Sequence, residues 1–191
     1  MKGGKPIYFL TSNKGKFREA AAVAAASGLR LQMLATTKIE IQSDSLRRIA
    51  SYAAEEAANR LGLSVIAEDA GLFVDELRGF PGPYSSDAFK RLGISGILTL
   101  MKNSSRRNAS FRSAVAFCRP RGRPRYFTGA VAGTISLDAR GTGGFGFDPI
   151  FIPRGSDGRT FAQMADEEKN RISHRAISFR RLSRWLVTLQ T

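Results

Sequence analysis

The sequence predicts an α/β protein, and three observations predict it. Its first third alternates short apolar runs with helical ones, in the order strand, helix, strand, helix, strand. After residue 105 the period changes, and two strand-like stretches are joined by a tight turn. A glycine-rich loop over residues 140–148 then lets backbone come close to a ligand.

Residues 6–11 (PIYFLT) read as a short buried strand that Ser12-Asn13 break. Residues 14–27 are alanine-rich and helical, with Gly28 as the stop. Residues 29–34 (LRLQML) form a second strand. Over residues 45–61, Leu46, Ile49, Ala50, Ala53, Ala57 and Leu61 fall on one helical stripe. Residues 63–67 (LSVIA) are another strand, which ends at Glu68-Asp69. FPGPYSSDAFKRLG is a loop followed by a short helix, and Ile94–Met101 continues helical. Residues 109–118 and 125–137 are strands joined by PRGRP, a two-stranded excursion that gives a second lobe over about 105–140. Thr160 and Gln163 form a capping box for a short helix, and a last helix covers about 174–189.

A chain of 191 residues suits one domain over 1–191, its lobes sharing a core. With 42% apolar and 24% charged residues it is no disordered chain. No run approaches 18 apolar residues, which excludes a membrane-spanning helix. The apolar run near the N-terminus is only about six residues, too short for a secretory signal. Cys118 is the single cysteine and has no internal partner. The expectation is a soluble, cytoplasmic protein.

The abnormal quantity is a net charge of +14. Residues 1–100 hold thirteen basic and ten acidic side chains, whereas residues 101–191 hold seventeen and six. Such a balance suits nucleic acid, through Arg106, Arg107, Arg112, Arg119, Arg121, Arg123 and Arg125. It equally suits an anionic small molecule in a positive cleft. Arginine outnumbers lysine 22 to 8, so arginine-biased coding also accounts for the excess.

Four segments carry chemistry. In TSNKGK, residues 11–16, a strand ends and a helix begins with Lys14 and Lys16 in its first turn. Cations are misplaced at that positive helix end unless an anion occupies it. An exposed helix start with nothing bound is the plainer alternative. Glu68 and Asp69 project where α/β sheets bind ligands, and as strand neighbours they point to opposite faces. Glu40, in IEIQ, is a third carboxylate able to complete a hard oxygen site for Mg2+ with substrate phosphates. In GGFGFDP, Phe145 and Phe147 offer flat faces for a base, or enter the core as phenylalanine commonly does. EKNRISHR, residues 168–175, holds Lys169 and the lone histidine, His174, between Ser173 and Arg175. That group offers several hydrogen-bond donors but no metal site and no Ser-His-Asp arrangement.

In order along the chain, TSNKGK, EIQ, AEDAGLFVDEL, GFPGPYSS, GFGFDPIF, FAQM and EKNRISHR resemble one family. It is that of the inosine/xanthosine triphosphate pyrophosphatases, and the archaeal type is the nearest. The resemblance spans nearly the whole chain. It implies an elongated two-lobed α/β fold with a long mixed sheet flanked by helices and a nucleotide cleft between the lobes. It implies a homodimer that hydrolyses ITP, dITP and XTP to monophosphate and pyrophosphate with Mg2+. Thr11, Asn13 and Lys16 would hold the triphosphate, with Ser12 and Lys14 in the same turn. Glu40 and Asp69 would hold the metal, and Asp69 would be the catalytic carboxylate, with Glu68 as its neighbour. Phe145, Gly146, Phe147 and Asp148 would contact the nucleoside, and Lys169, Ser173, His174 and Arg175 would close on base and phosphates. Ala70 replaces the family's usual Ser or Thr at that contact, Phe147 replaces Tyr or Trp, and Ser12 replaces Gly. Two other readings remain: a Maf-type pyrophosphatase for other modified nucleotides, and a basic nucleic-acid-binding protein.

Overall fold

A computed structural model describes residues 7–189. Pro6, with which the first expected strand begins, and the N-terminal residues before it lie outside the described residues. The chain runs β1 (Ile7–Leu10), α1 (Lys14–Ala25), β2 (Leu31–Leu34), α2 (Leu46–Leu61), β3 (Val65–Val74) and α3 (Ser85–Leu100). It continues with β4 (Asn108–Cys118), β5 (Arg125–Ile135), β6 (Phe151–Pro153), α4 (Asp166–Ile172) and α5 (His174–Thr188). No helix among the described residues is long and apolar enough to cross a membrane.

The helices begin and end where local chemistry satisfies their free backbone groups. Asn13 accepts the Lys16 N–H and caps α1, and Ser45 accepts the Arg48 N–H and caps α2. Gly62 ends α2 in the left-handed conformation that glycine adopts without a Cβ penalty. Gly93, with φ 64° and ψ −169°, kinks α3 between its two halves. The Thr160–Gln163 capping box is present, on a single 3-10 turn.

Six strands form one mixed sheet in the order β2-β1-β3-β4-β5-β6. The first three are mutually parallel, and β3 through β6 are antiparallel. The strand expected to stop at Ala67 continues through Glu68 and Asp69 to Val74, so both carboxylates lie mid-strand. The correction has a physical cause. Two adjacent acids read as a strand end, but the ladder to β4 runs unbroken from Val65↔Cys118 to Val74↔Ala109, and cations from distant elements offset the buried charge. The 109–118 and 125–137 stretches sit inside the sheet as β4 and β5, not at its margin.

Helices α1 and α5 cover one face around Phe9, Ile66, Phe117 and Phe179. Helix α2 covers the other with an alanine stripe against Leu10, Ala67, Ala114 and Ala116. A third cluster, around Leu72, Phe111, Phe147, Ile150 and Phe161, fills the far half of the long strands. Between the clusters β1 ends at Leu10, opposite Ala67 of β3. From Glu68 onward the β1-side edge of β3 therefore opens into a crevice at the C-terminal end of a parallel strand.

Candidate active site

A cleft of about 390 Å3 opens there, lined by Asn13, Lys16, Ala70, Phe89, Lys90, Phe145, Phe147, Asp148, His174 and Arg175 among others. Two close backbone approaches shape it. A Cβ on Gly71 would lie 1.9 Å from the Gly82 carbonyl oxygen, so only glycine lets the Phe80–Tyr84 loop pack on β3. Gly144 has φ 68°, and a Cβ there would lie 2.2 Å from Asp148 Oδ2. That carboxylate instead accepts the Phe145 N–H at 2.7 Å and holds the glycine loop closed.

The floor of the cleft is a buried charge network. Glu68 is 2% exposed. Its Oε1 accepts from Arg175 Nε at 3.0 Å and from Ser113 Oγ at 3.1 Å. Lys16 Nζ lies 3.0 Å from Oε2, as an ion pair without hydrogen-bond alignment. Arg175 Nη1 donates to Glu19 Oε2 at 2.7 Å, and Ser173 Oγ donates to Glu19 Oε1. Lys169 Nζ donates to Asp148 at 2.7 Å and stands 4.7 Å from the centre of the Phe145 ring. Burial opposes charge on both glutamates, but the cations override it. Arg175 and Lys16 hold Glu68 well below the carboxylate range, and Arg175 and Lys169 bring Glu19 down to about 2. Against Asp148, burial wins over Lys169 and the pKa rises.

Asp69 points to the opposite face and is built differently. It is 8% exposed, and its Oδ2 has no hydrogen-bond partner among the described residues. Burial lifts its pKa to about 6, against the pull of Lys38 and Lys16, with Glu68 and Glu40 adding to the rise. Glu40 is half-exposed on the loop before α2 and takes Lys38 Nζ at 2.6 Å. Partial burial raises its pKa, but Lys38 outweighs that and the net shift is downward.

His174 is 3% exposed and stacks on Phe111, with centroids 4.7 Å apart and planes at 9°. Burial and the neighbouring Arg175 lower its pKa to about 3, so the ring is neutral. Its Nδ1 has no partner among the described residues.

Most of the residues expected from sequence converge. Lys16, Glu68, Ala70, Phe145, Gly146, Phe147, Asp148, Lys169, Ser173, His174 and Arg175 all line the cleft or join its network. Thr11 accepts the Asn13 N–H, so both shape the turn. Ser12 and Lys14 are exposed and make no such contact. Phe147 is 3% exposed and packs edge-on against Phe89. Sequence reasoning missed Glu19, Ser113 and Phe89. Glu19 had one signal: a charge on the same helical stripe as Ala20 and Val23, which bury.

A larger hollow, about 640 Å3, lies at the outer edge of β5 and is not this site. Its three arginines are already engaged, Arg47 by Tyr126, Arg112 by Ser110 and Phe73, and Arg181 by the Thr128 carbonyl. Arg107, counted in the basic patch, is spent inside the fold on the carbonyls of Met101, Ile135 and Ser136.

An open mixed sheet, with a cation-walled cleft beside an unpartnered carboxylate, defines an α/β protein built to receive a phosphate ester. The Ham1 family model matches residues 7–185. The dITP/XTP pyrophosphatase of Methanopyrus kandleri is 46% identical, covering 94% of this chain and 95% of that protein. The dITP/XTP pyrophosphatase of Hyperthermus butylicus is 47% identical, covering 94% of each. Among solved structures, a HAM1 protein from Coxiella burnetii superposes with TM-score 0.84 at 29% identity, over 96% of this chain and 98% of that one. The Staphylococcus aureus Ham1 protein gives 0.82 at 28% identity, over 97% of this chain and all of that one. The chain belongs to the Ham1 family.

Proposed function

We propose that this protein hydrolyses deaminated purine nucleoside triphosphates, ITP, dITP and XTP, to the monophosphate and pyrophosphate. The observation that carries the reading is one continuous cleft. It is lined by a neutral, stacked His174, a fixed Arg175 and Lys16, and the unpartnered Asp69 carboxylate belongs to the strand residue next to Ala70 of that lining.

Asp69 and Glu40 fit a hard divalent cation. Both offer oxygen donors, and Asp69 Oδ2 is buried without a partner. No cluster of three or more acidic, histidine or cysteine side chains stands ready for a metal among the described residues. Mg2+ needs none, since one or two carboxylates, waters and substrate phosphates complete its shell. When bound there, Mg2+ supplies positive charge against the phosphates and lowers the pKa of coordinated water.

The chain's own residues do the rest. Glu68 fixes Lys16 and Arg175 in place, so both cations are oriented before substrate arrives. Lys16 and the start of α1 face the charge that develops on departing pyrophosphate. Asp69, with one oxygen unpartnered, is the better placed of the two adjacent acids to accept a proton, because Glu68 is locked in ion pairs.

Base choice follows from donors. Arg175 spends Nε and Nη1 on glutamates, and its Nη2 makes no hydrogen bond among the described residues. A 6-keto acceptor satisfies such a donor, whereas the 6-amino group of adenine leaves it unpaired at a cost of about 1–3 kcal/mol. Phe145, under Lys169 and Arg175, is the flat face for the purine.

The test is turnover of ITP, XTP, GTP and ATP with Mg2+, reading pyrophosphate and orthophosphate separately. Pyrophosphate from ITP and XTP with little ATP turnover is expected. Orthophosphate, or equal ATP and ITP rates, overturns the reading, and a preference for modified pyrimidines would favour the Maf-type alternative. The proposal extends to a homodimer, which light scattering checks, and to a cytoplasmic location, which cell fractionation checks.

A further inference from the structure

We propose that Lys38 is a tethered counter-cation. It is paired with Glu40, beside the unpartnered Asp69, until a divalent cation arrives with the nucleotide, and its released ammonium then turns to the triphosphate. The inference rests on the pyrophosphatase reading above. Lys38 belongs to the loop between β2 and α2, and none of the sequence motifs includes it. Its Nζ donates to Glu40 Oε1 at 2.6 Å and to the Glu68 carbonyl oxygen at 3.1 Å. That carbonyl lies on the edge of β3 left open where β1 ends. The ammonium makes no ion pair with Asp69 among the described residues, but it is the strongest of the charges that counter the rise in the Asp69 pKa. Its side chain is only 18% exposed, so this is a seated contact and not a waving surface lysine.

A metal ion on Glu40 and this ammonium compete for the same oxygen. Glu40 Oε1 cannot keep its lysine and ligate a cation along the same direction, and the two positive charges repel at short range in a partly buried site. A divalent cation arriving alone must expel Lys38 into water. Arriving on a nucleoside triphosphate, it brings the anion that the ammonium then pairs with. The lysine therefore disfavours free metal and favours the metal–nucleotide pair, which couples the two ligands through their differential contacts.

The test measures Mn2+ binding by electron paramagnetic resonance of the free ion, in the wild-type chain, Lys38→Gln and Lys38→Arg. Without nucleotide, Lys38→Gln should bind Mn2+ about tenfold more tightly, or better, once the competing charge is gone. With the non-hydrolysable α,β-methylene analogue of ITP present the order should invert, Lys38→Gln binding the pair several-fold more weakly. Lys38→Arg, which keeps the charge, should stay within about threefold of wild type in both conditions. A Lys38→Gln affinity equal to or below wild type without nucleotide overturns the proposal, as does an absence of Mn2+ binding in both. Thermal melting shows that the variants are folded. Asp69→Asn and Glu40→Gln separate this inference from its foundation. If neither weakens Mn2+ binding with the analogue present, the metal reading itself fails. If both do and Lys38→Gln gains nothing, only the role of Lys38 fails.

Discussion

The two faces of β3 carry adjacent carboxylates that live in opposite conditions. Glu68 is completed by the protein: Arg175, Lys16 and Ser113 surround it, and Glu19 finishes the arginine. Asp69 is left unfinished, with one oxygen unpartnered and a raised pKa. Strand alternation alone separates them. The difference teaches that preorganisation and reactivity are divided between neighbours. One acid holds the cations still, and the other has a free oxygen that, under the proposed function, serves what the substrate brings. Substitutions on the two sides should then fail in different currencies, stability on one and rate on the other.

The largest expected effect is on rate. Asp69→Asn keeps the shape and removes the proton acceptor and a metal oxygen, so kcat for ITP should fall on the order of 10²–10⁴. Its urea midpoint should hold or rise, because a buried unpaired charge has been removed. Steady-state kinetics and a denaturation curve decide together. A rate within about tenfold of wild type would end the catalytic assignment.

Arg175→Met should show the reverse emphasis in stability. It leaves Glu19 and Glu68 buried with a cation missing, a loss of about 3–5 kcal/mol by urea unfolding. Glu40→Gln, on the half-exposed side, should move stability by no more than about 0.5 kcal/mol. Equal losses for the two variants would erase the distinction between the faces.

The same division explains what could be read in the sequence. Helix α2 was legible because Leu46, Ile49, Ala50, Ala53 and Ala57 repeat at helical spacing and all bury. Lys16 and the Ser173–His174–Arg175 run were legible as polar residues at element boundaries. Glu19 was not. Its place on the stripe of Ala20 and Val23 was a weak sign, since a lone glutamate is ordinarily solvated, and the partners that make it buried, Ser173 and Arg175, lie more than 150 residues away. Residues 68–74 of β3 were hidden for a related reason: local pattern treats two acids as a break, and only long-range ion pairs make them tolerable in a sheet interior. Phe147 left two readings open, base contact or core, and tertiary packing places its ring at 3% exposure between the cleft and the far core.

A smaller effect should appear as pH falls. His174 has a folded pKa of about 3 against an ordinary value of 6.5. Between those values the unfolded chain binds a proton that the folded chain refuses, so the histidine's contribution falls with pH below 6.5, while Asp69, at about 6 against 3.8, works in the opposite direction below pH 6. Glu19, at about 2 against 4.5, adds its own loss as pH drops below 4.5. Between pH 6.5 and 4.5 the histidine contribution should approach about 1.4 kcal/mol per pH unit. His174→Gln should remove the histidine slope over that stretch, so that stability rises as pH falls from 6 toward 4.5, and leave the Glu19 loss below pH 4.5. An unchanged slope would mean that the ring is not held neutral.

The smallest effect tests where the cleft ends and the core begins. Phe89 projects from α3 with 38% of its surface exposed and meets Phe147 edge-on at 5.3 Å. Phe147 is the buried member of the pair. Edge-to-face contacts contribute about 0.5–1.5 kcal/mol beyond area, so losing one on the exposed side should be felt in ligand contact more than in folding. Phe89→Leu should raise KM for ITP by about threefold, with kcat within about twofold, because the wall loses a flat surface and the reacting end is untouched. Phe147→Leu should instead lower the urea midpoint, as a buried ring is replaced by a smaller side chain in a packed cluster. If Phe89→Leu lowered kcat and left KM alone, the ring would be steering the phosphate end, and the division between a binding wall and a reacting wall would have to be redrawn.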